Sequence, residues 1–145
     1  MLNMTERAIK HYMISDPVVL KENNTLKEIM HLMEEKHVSH LIIINDNEQL
    51  VGIISANDLL HRLQRISNQT AGKTYTNLEL NSIKAKDIMT ENPVFLQPND
   101  SIEYASELLL QKKFHCLPVM QHKQAIGIVT QYDLLKAYYE RNNNA

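Results

Sequence analysis

The sequence predicts an α/β (α+β) fold made of two tandem β-α-β-β-α repeats packed sheet to sheet. Three observations predict it: the chain aligns on itself, each copy shows the same order of apolar periodicities, and one copy is too small to close a core. Sliding the chain by 76 positions sets Met13 to Ile44 on Met89 to Met120 with 8 of 32 residues identical. Beyond the turn Asn45-Asp46-Asn47-Glu48 the shift becomes 75, and Val51 to Leu60 lies on Ile126 to Leu135 with five of ten identical. A one-residue deletion belongs in such a surface turn. A unit of roughly 55 residues buries too little apolar surface to stand alone, whereas two can cover each other.

Each element follows in order. Pro17-Val18-Val19-Leu20 reads as a short strand opened by a proline, the position in a strand that tolerates one. Thr25 is the expected N-cap of a helix whose Leu26, Ile29, Met30 and Met33 form an apolar stripe at i, i+3, i+4, i+7. Met30 and Met33 therefore read as core filling. Leu41–Ile44 and Val51–Ile54 are β-branched runs across a polar turn, hence adjacent strands. Ser55 then caps a helix with Leu59, Leu60, Leu63 and Ile66 on one side. The second copy repeats this with Ser101 capping Ile102, Ala105 and Leu109, strands at Cys116–Met120 and Ile126–Val129, and a Thr130-capped helix carrying Leu134, Leu135 and Tyr138. Expected boundaries are residues 1–66 for the first repeat, 67–82 for a polar linker, 83–141 for the second repeat and 142–145 for a disordered tail.

Composition narrows the function classes. The chain has 145 residues, 15 Lys plus Arg against 17 Asp plus Glu, and a formal charge of -2, which argues against general nucleic-acid binding. The lone Cys116 suits a reducing compartment and reads as a small buried hydrophobe rather than a nucleophile. No apolar run approaches the roughly 20 residues of a membrane span. The segment Met1 to Arg7 has no apolar core of a secretion signal, so the expectation is a cytoplasmic protein. The three isolated glycines make no phosphate loop. His31, His37 and His40 have spacing that could gather a metal, but no Cys or acid completes a tetrahedral set, so no metal is expected. No nucleophile, base and orienting group come together, and no enzyme or catalytic cofactor is expected.

The twice-repeated apolar-Gly-apolar-apolar-Ser/Thr-x-x-Asp-Leu-Leu, Gly52–Leu60 and Gly127–Leu135, has two readings. Ser or Thr followed three residues later by an acid is a capping box, which needs no ligand. Equally, a helix start attracts anions and oxygen-rich groups, and an Asp there can accept from two neighbouring hydroxyls, as on a ribose. The preceding Gly can let backbone approach a flat group.

The order of the repeats, Met-x-x-x-Pro-Val, Leu-Pro-Val and Gly-Ile-Val-Thr-x-x-Asp-Leu-Leu together resemble the cystathionine-β-synthase (CBS) domain in tandem, the Bateman module, over about residues 8–66 and 83–140. The resemblance implies two CBS repeats related by a pseudo-twofold axis, with clefts that take AMP, ADP, ATP or S-adenosylmethionine as regulatory ligand, AMP first among them. It implies Asp58 and Asp133 as ribose acceptors, and Ser55 and Thr130 as contacts to ribose or first phosphate. Adenine walls are implied at Ile9, Asp16, Pro17 and Val18, and at Ala85, Asn92, Pro93 and Val94, with Ile53 and Ile128 lining the clefts. The family's phosphate-reading positions hold Ser39-His40 and His115-Cys116, without an arginine; Lys36, Lys112 or Lys113 could substitute. A monophosphate or a ligand without phosphate fits this better than a triphosphate. Which repeat's wall faces which repeat's Asp stays open. The expected partners are an adenosine compound, a second copy of the chain through helix residues such as Leu63, Ile66, Leu135 and Tyr138, and a regulated protein. The other reading is an interaction scaffold whose clefts are vestigial.

Overall fold

The computed structural model describes residues 7–69, 77–111 and 114–143. The chain divides into two compact units that do not follow the repeat boundaries: a central unit, residues 18–92, and a terminal unit, residues 1–17 with 93–145.

In the central unit, β2 (Val19–Lys21), β3 (His40–Ile44), β4 (Leu50–Ser55) and β5 (Thr90–Glu91) form a four-stranded sheet in the order β2-β3-β4-β5. β2 runs parallel to β3, and the other pairings are antiparallel. Helix α1 (Leu26–Lys36) begins as its sequence dictates. Thr25 Oγ1 accepts from Glu28 N–H at 3.2 Å while Glu28 Oε1 accepts from Thr25 N–H at 3.1 Å, a closed capping box. Leu26, Ile29 and Met33 of α1 pack with Leu41, Ile43 and Ile54 of the sheet and Leu59 of α2 (Ala56–Gln69). Met30 packs against this core half-buried. Two short helices follow, α3 (Asn77–Ser82) and α4 (Ala85–Ile88). Thus α2 extends past Ser67, and α3 occupies part of the segment expected to be linker.

In the terminal unit, β1 (Ile14–Ser15), β7 (Gln124–Thr130) and β6 (Cys116–Gln121) form an antiparallel sheet in the order β1-β7-β6. Leu96 adds a parallel bridge to Val119 beside β6. Helices α5 (Ile102–Leu110) and α6 (Gln131–Asn143) cover it, so the chain is still helical at 142–143, where a tail was expected. Leu96, Ile102, Ala105, Leu109, Leu117, Val119, Val129, Leu134 and Ala137 make the core.

The units cut across the repeats because the leading segments are exchanged. Ile9 N–H donates to Asp100 O at 2.8 Å, Lys10 N–H to Pro98 O at 2.9 Å, and Ile102 N–H to Arg7 O at 3.0 Å. At the equivalent positions of the other copy, Ala85 N–H donates to Asn24 O at 2.8 Å, Lys86 N–H to Glu22 O at 3.0 Å, and Leu26 N–H to Ile83 O at 2.8 Å. Ile9 enters the terminal core and Ala85 the central one, both 0% exposed. Burying Ile9 contributes about 1.5–3 kcal/mol, which fixes the exchanged segment.

One helix face differs from expectation. Leu59 and Leu134 face the cores, and Leu63 and Tyr138 pack against them, but Leu60 and Leu135 are 52% and 68% exposed. They belong to the opposite face, together with Tyr132 and Tyr139, because a residue adjacent to a buried one turns about 100° around the helix. The side chain of Ile66 lies outside the described residues. Among the described residues no helix is long and apolar enough to cross a membrane.

Candidate ligand sites at two helix starts

Both candidate carboxylates stand where a strand passes directly into a helix: β4 ends at Ser55 and α2 opens at Ala56, while β7 ends at Thr130 and α6 opens at Gln131. Both capping boxes form. Ser55 N–H donates to Asp58 Oδ2 at 2.9 Å and Asp58 N–H to Ser55 Oγ at 3.1 Å. Thr130 N–H donates to Asp133 Oδ2 at 2.8 Å, Thr130 O–H to the same oxygen at 2.9 Å, and Asp133 N–H to Thr130 Oγ1 at 3.3 Å. Among the described residues only Oδ2 is engaged in each case. Among the described residues Oδ1 of Asp58 and Asp133 has no donor, and both side chains are half-buried. The cap and a ligand therefore do not compete for the same oxygen.

Cross-strand register decides what stands beside each cap, because residues directly opposite share a sheet face. Ser55 is opposite His40, and Ile53 is opposite Ile42 on one side and Thr90 on the other. Thr130 is opposite Cys116, and Ile128 is opposite Pro118 and Ile14. His40 is half-buried with Ser39 Oγ 3.0 Å from its Nδ1. Cys116 is 2% exposed. His115 precedes β6, exposed, and is not in register with Thr130.

The adenine-wall residues divide. β1 comes from the first repeat yet pairs with β7, and β5 comes from the second yet pairs with β4. The wall strand of each copy thus lies on the strand that leads to the other copy's aspartate, which the sequence left open. Asp16 and Asn92 follow these strands with φ of 53° and 50°, the left-handed region that Asp and Asn tolerate best. Pro17 and Val18 are half-buried, Pro93 is buried and Val94 is exposed. Ile53 and Ile128 are each 5% exposed. Ile9 and Ala85 need correction: their side chains fill the cores and offer no surface to a ligand, so they anchor the wall segments rather than line a cleft.

The glycines need correction as well. A Cβ at Gly52 would lie 2.7 Å from Met89 Cγ, and one at Gly127 would lie 2.5 Å from Met13 Sδ. Each glycine admits the methionine of an exchanged segment. Met13 and Met89 carried no sequence signal for this, since the contact depends on the exchange. Lys36 is exposed at the end of α1; Lys112 and Lys113 lie outside the described residues. Among the described residues no three His, Cys, Asp or Glu side chains are placed to hold a metal, and His31 lies 3.5 Å from Glu35 on its own helix.

A protein-family model, the CBS domain, matches residues 9–65 and again residues 85–140. The chain belongs to the CBS domain family. As a tandem CBS pair it is 32% identical over 137 residues to CBSX2, a chloroplastic CBS domain-containing protein of Arabidopsis thaliana, covering 82% of this chain and 57% of that protein. It is also 32% identical over 133 residues to a homoserine O-acetyltransferase of Methanohalobium evestigatum, covering 91% of this chain but 24% of the relative. The chain therefore spans between about a quarter and just over half of these relatives. The crystal structure of CBSX2 in complex with AMP superposes with a TM-score of 0.69 at 30% identity, over 93% of this chain and 98% of that one. The CBS domain pair of MJ0100, solved with 5'-methylthioadenosine and S-adenosyl-L-methionine, gives 0.73 over 92% of this chain and 97% of that one; at 19% identity the likeness is one of fold.

Proposed function

We propose that the tandem CBS pair is a regulatory module that binds an adenosine-containing ligand, AMP first among AMP, ADP, ATP and S-adenosylmethionine, and passes its bound state to a protein partner. The observation that carries this is the half-engaged carboxylate of Asp58 and Asp133: Oδ2 holds the helix cap, and Oδ1, which has no donor among the described residues, is the proposed acceptor for a pair of ribose hydroxyls. Hydrogen bonds to a charged acceptor contribute about 1.5–3 kcal/mol each, enough to make the ribose a recognition element. The AMP complex of the similar CBSX2 supports the ligand class. Ser55, Thr130, Ile53, Ile128, Asp16, Pro17, Val18, Asn92, Pro93, Val94 and His40 complete the proposed sites, and Ile9 and Ala85 hold the walls in place. Regulation then works by population shift: a ligand that prefers one conformation of the chain raises its share in proportion to the difference in affinity. The acetyltransferase chemistry of a longer relative is not carried over, because the matched segment is 24% of it. Thermal unfolding with each of the four ligands tests the reading. A ligand at 100 times its dissociation constant stabilises by about 2.7 kcal/mol, and an unmoved midpoint with all four at millimolar concentration overturns it.

A second reading has its own observation. Tyr132, Leu135 and Tyr139 lie at i, i+3, i+7 on α6, each about two-thirds exposed or more. Such a stripe suits a homodimer or scaffold contact, and it is compatible with ligand sensing.

A further inference from the structure

Each exchanged segment is seated by one methionine. Met13 N–H donates to Ile9 O and Met89 N–H to Ala85 O, both at 2.9 Å, so each methionine closes a helical turn that begins at a core anchor. The strand that follows is two residues long in both copies, β1 after Met13 and β5 after Met89. Ile14, Ser15, Thr90 and Glu91 are all exposed, so neither strand has a buried side chain of its own to keep it on its sheet. The methionines supply what the strands lack: Met13 packs on the terminal core and Met89 on the central one. A Cβ at Gly127 would lie 2.5 Å from Met13 Sδ, and one at Gly52 would lie 2.7 Å from Met89 Cγ with Sδ closer still. Two of the chain's three glycines therefore seat two thioethers. Both methionines are half-buried, unlike Met33, which is 9% exposed in the central core.

We propose that Met13 and Met89 are redox-sensitive pins: peroxide oxidises their thioethers to sulfoxides, and each oxidation releases the edge strand, β1 or β5, that the pin holds. In the step a sulfur lone pair takes one oxygen from hydrogen peroxide. An S–O bond forms, the O–O bond breaks and water leaves; the sulfur is oxidised and the peroxide reduced. The product is larger and strongly polar. A seat too tight for one methyl group has no room for the added oxygen, whose demand for hydrogen bonds is met by turning out to water. Methionine sulfoxide reductases, one for each epimer, restore the thioether, so the device is reversible. It does not rest on the adenosine reading, because the freedom of β1 and β5 reports on it with or without a ligand.

Hydrogen exchange on the full chain, read by mass spectrometry of peptides before and after hydrogen peroxide, tests this. Oxidation at Met13 and Met89 is expected to speed exchange over residues 13–15 and 89–91 roughly tenfold or more, while Leu41–Ile44, inside the central sheet, keeps its protection. Treatment with the two reductases and dithiothreitol is expected to return both segments to their untreated rates. Met13→Leu and Met89→Leu keep the apolar volume without the oxidisable sulfur. Each should spare its own strand from peroxide and leave the other responsive, which makes each copy the control for the other. Sulfoxide at both positions with unchanged exchange overturns the proposal. So does acceleration that persists in the leucine variants, or peroxide that oxidises the equally half-buried Met30 and Met120 but spares Met13 and Met89. The reductase arm needs no substitution, so rates that stay raised after the thioethers are restored overturn it even where a variant fails to fold.

Discussion

Met13 occupies the space that a side chain at Gly127 would need: a Cβ there would lie 2.5 Å from its Sδ and 3.0 Å from its Cγ. Met89 stands in the same relation to Gly52. A motif that reads as a ligand approach in one dimension is, in the folded chain, the seat of an exchanged segment.

Gly52→Ala and Gly127→Ala are therefore expected to destabilise their units by about 1–3 kcal/mol, the range for overpacking a filled site. Gly127→Ala is the harder case, since its Cβ would also meet the backbone oxygen of Ile14 at 3.1 Å. Urea unfolding measures both. In a double-mutant cycle Gly52→Ala and Met89→Ala should couple, because shortening Met89 makes room for the methyl. Additive effects would show that the glycine serves some other purpose.

Substitution of the paired aspartates separates cap from ligand. Asp58→Ala and Asp133→Ala remove the Oδ2 acceptor, so each is expected to lose about 1 kcal/mol of stability as well as ligand affinity. Asp58→Asn and Asp133→Asn keep an oxygen for the cap and lose only the charge. Binding of AMP to the Asn variants should fall roughly 10- to 100-fold, the worth of one or two charged hydrogen bonds, with little change in unfolding midpoint. Unchanged affinity in both Asn variants would leave the capping box as the sole role of these residues.

Much of this was legible in the chain itself. Thr25 followed by Leu26, Ile29 and Met33 announced α1 with its cap and its buried face, because a period of 3.6 is a local property. Cys116 was legible as a buried hydrophobe because it opens the apolar strand run that becomes β6. The exchange was not legible. Ile9 and Ala85 belong to segments of similar chemistry, and nothing local says which copy's sheet receives them; only long-range pairing decides. β1 and β5, two residues each, are too short for an alternation to show. Leu60 and Leu135 were misplaced because adjacent leucines satisfy a helix stripe in either of two ways, and packing of Leu59 and Leu134 chose one.

Glu28 gives a pH dependence with a defined sign. The backbone N–H of Thr25, then the side chains of Asn24 and Thr25, hold its carboxyl below the usual 4.5. A carboxylate whose folded pKa is depressed stabilises the fold at pH values above the unfolded pKa, and that contribution is lost as pH falls through the folded one. Stability of the wild type should therefore drop on acidification below about pH 4.5. Glu28→Gln should show a shallower acid limb and nearly the same stability at pH 4 and pH 7 as far as this site is concerned. The effect is modest because Glu28 is exposed, so solvent screens its charge. Urea midpoints of the two proteins across that range provide the measurement, and parallel acid limbs would remove Glu28 from the account.

The outer face of α6 distinguishes self-association from a solitary chain. Leu135 is 68% exposed between Tyr132 and Tyr139, which are 70% and 67% exposed, whereas Leu134 and Ala137 on the other side fill the terminal core. A charge at Leu135 therefore touches solvent in the isolated chain but would be buried in a contact made by this stripe. Leu135→Glu should leave the unfolding midpoint of a dilute sample within about 0.5 kcal/mol of wild type, as for a surface position. In a dimer built on this face, burying an unpaired carboxylate should weaken association at least tenfold, since an isolated charge out of water is costly. Sedimentation equilibrium of the two proteins, with and without AMP, reads this directly. A wild-type dimer that Leu135→Glu leaves intact would place the contact on another surface, and a dimer dispersed by the substitution but indifferent to AMP would favour the scaffold reading over the sensor.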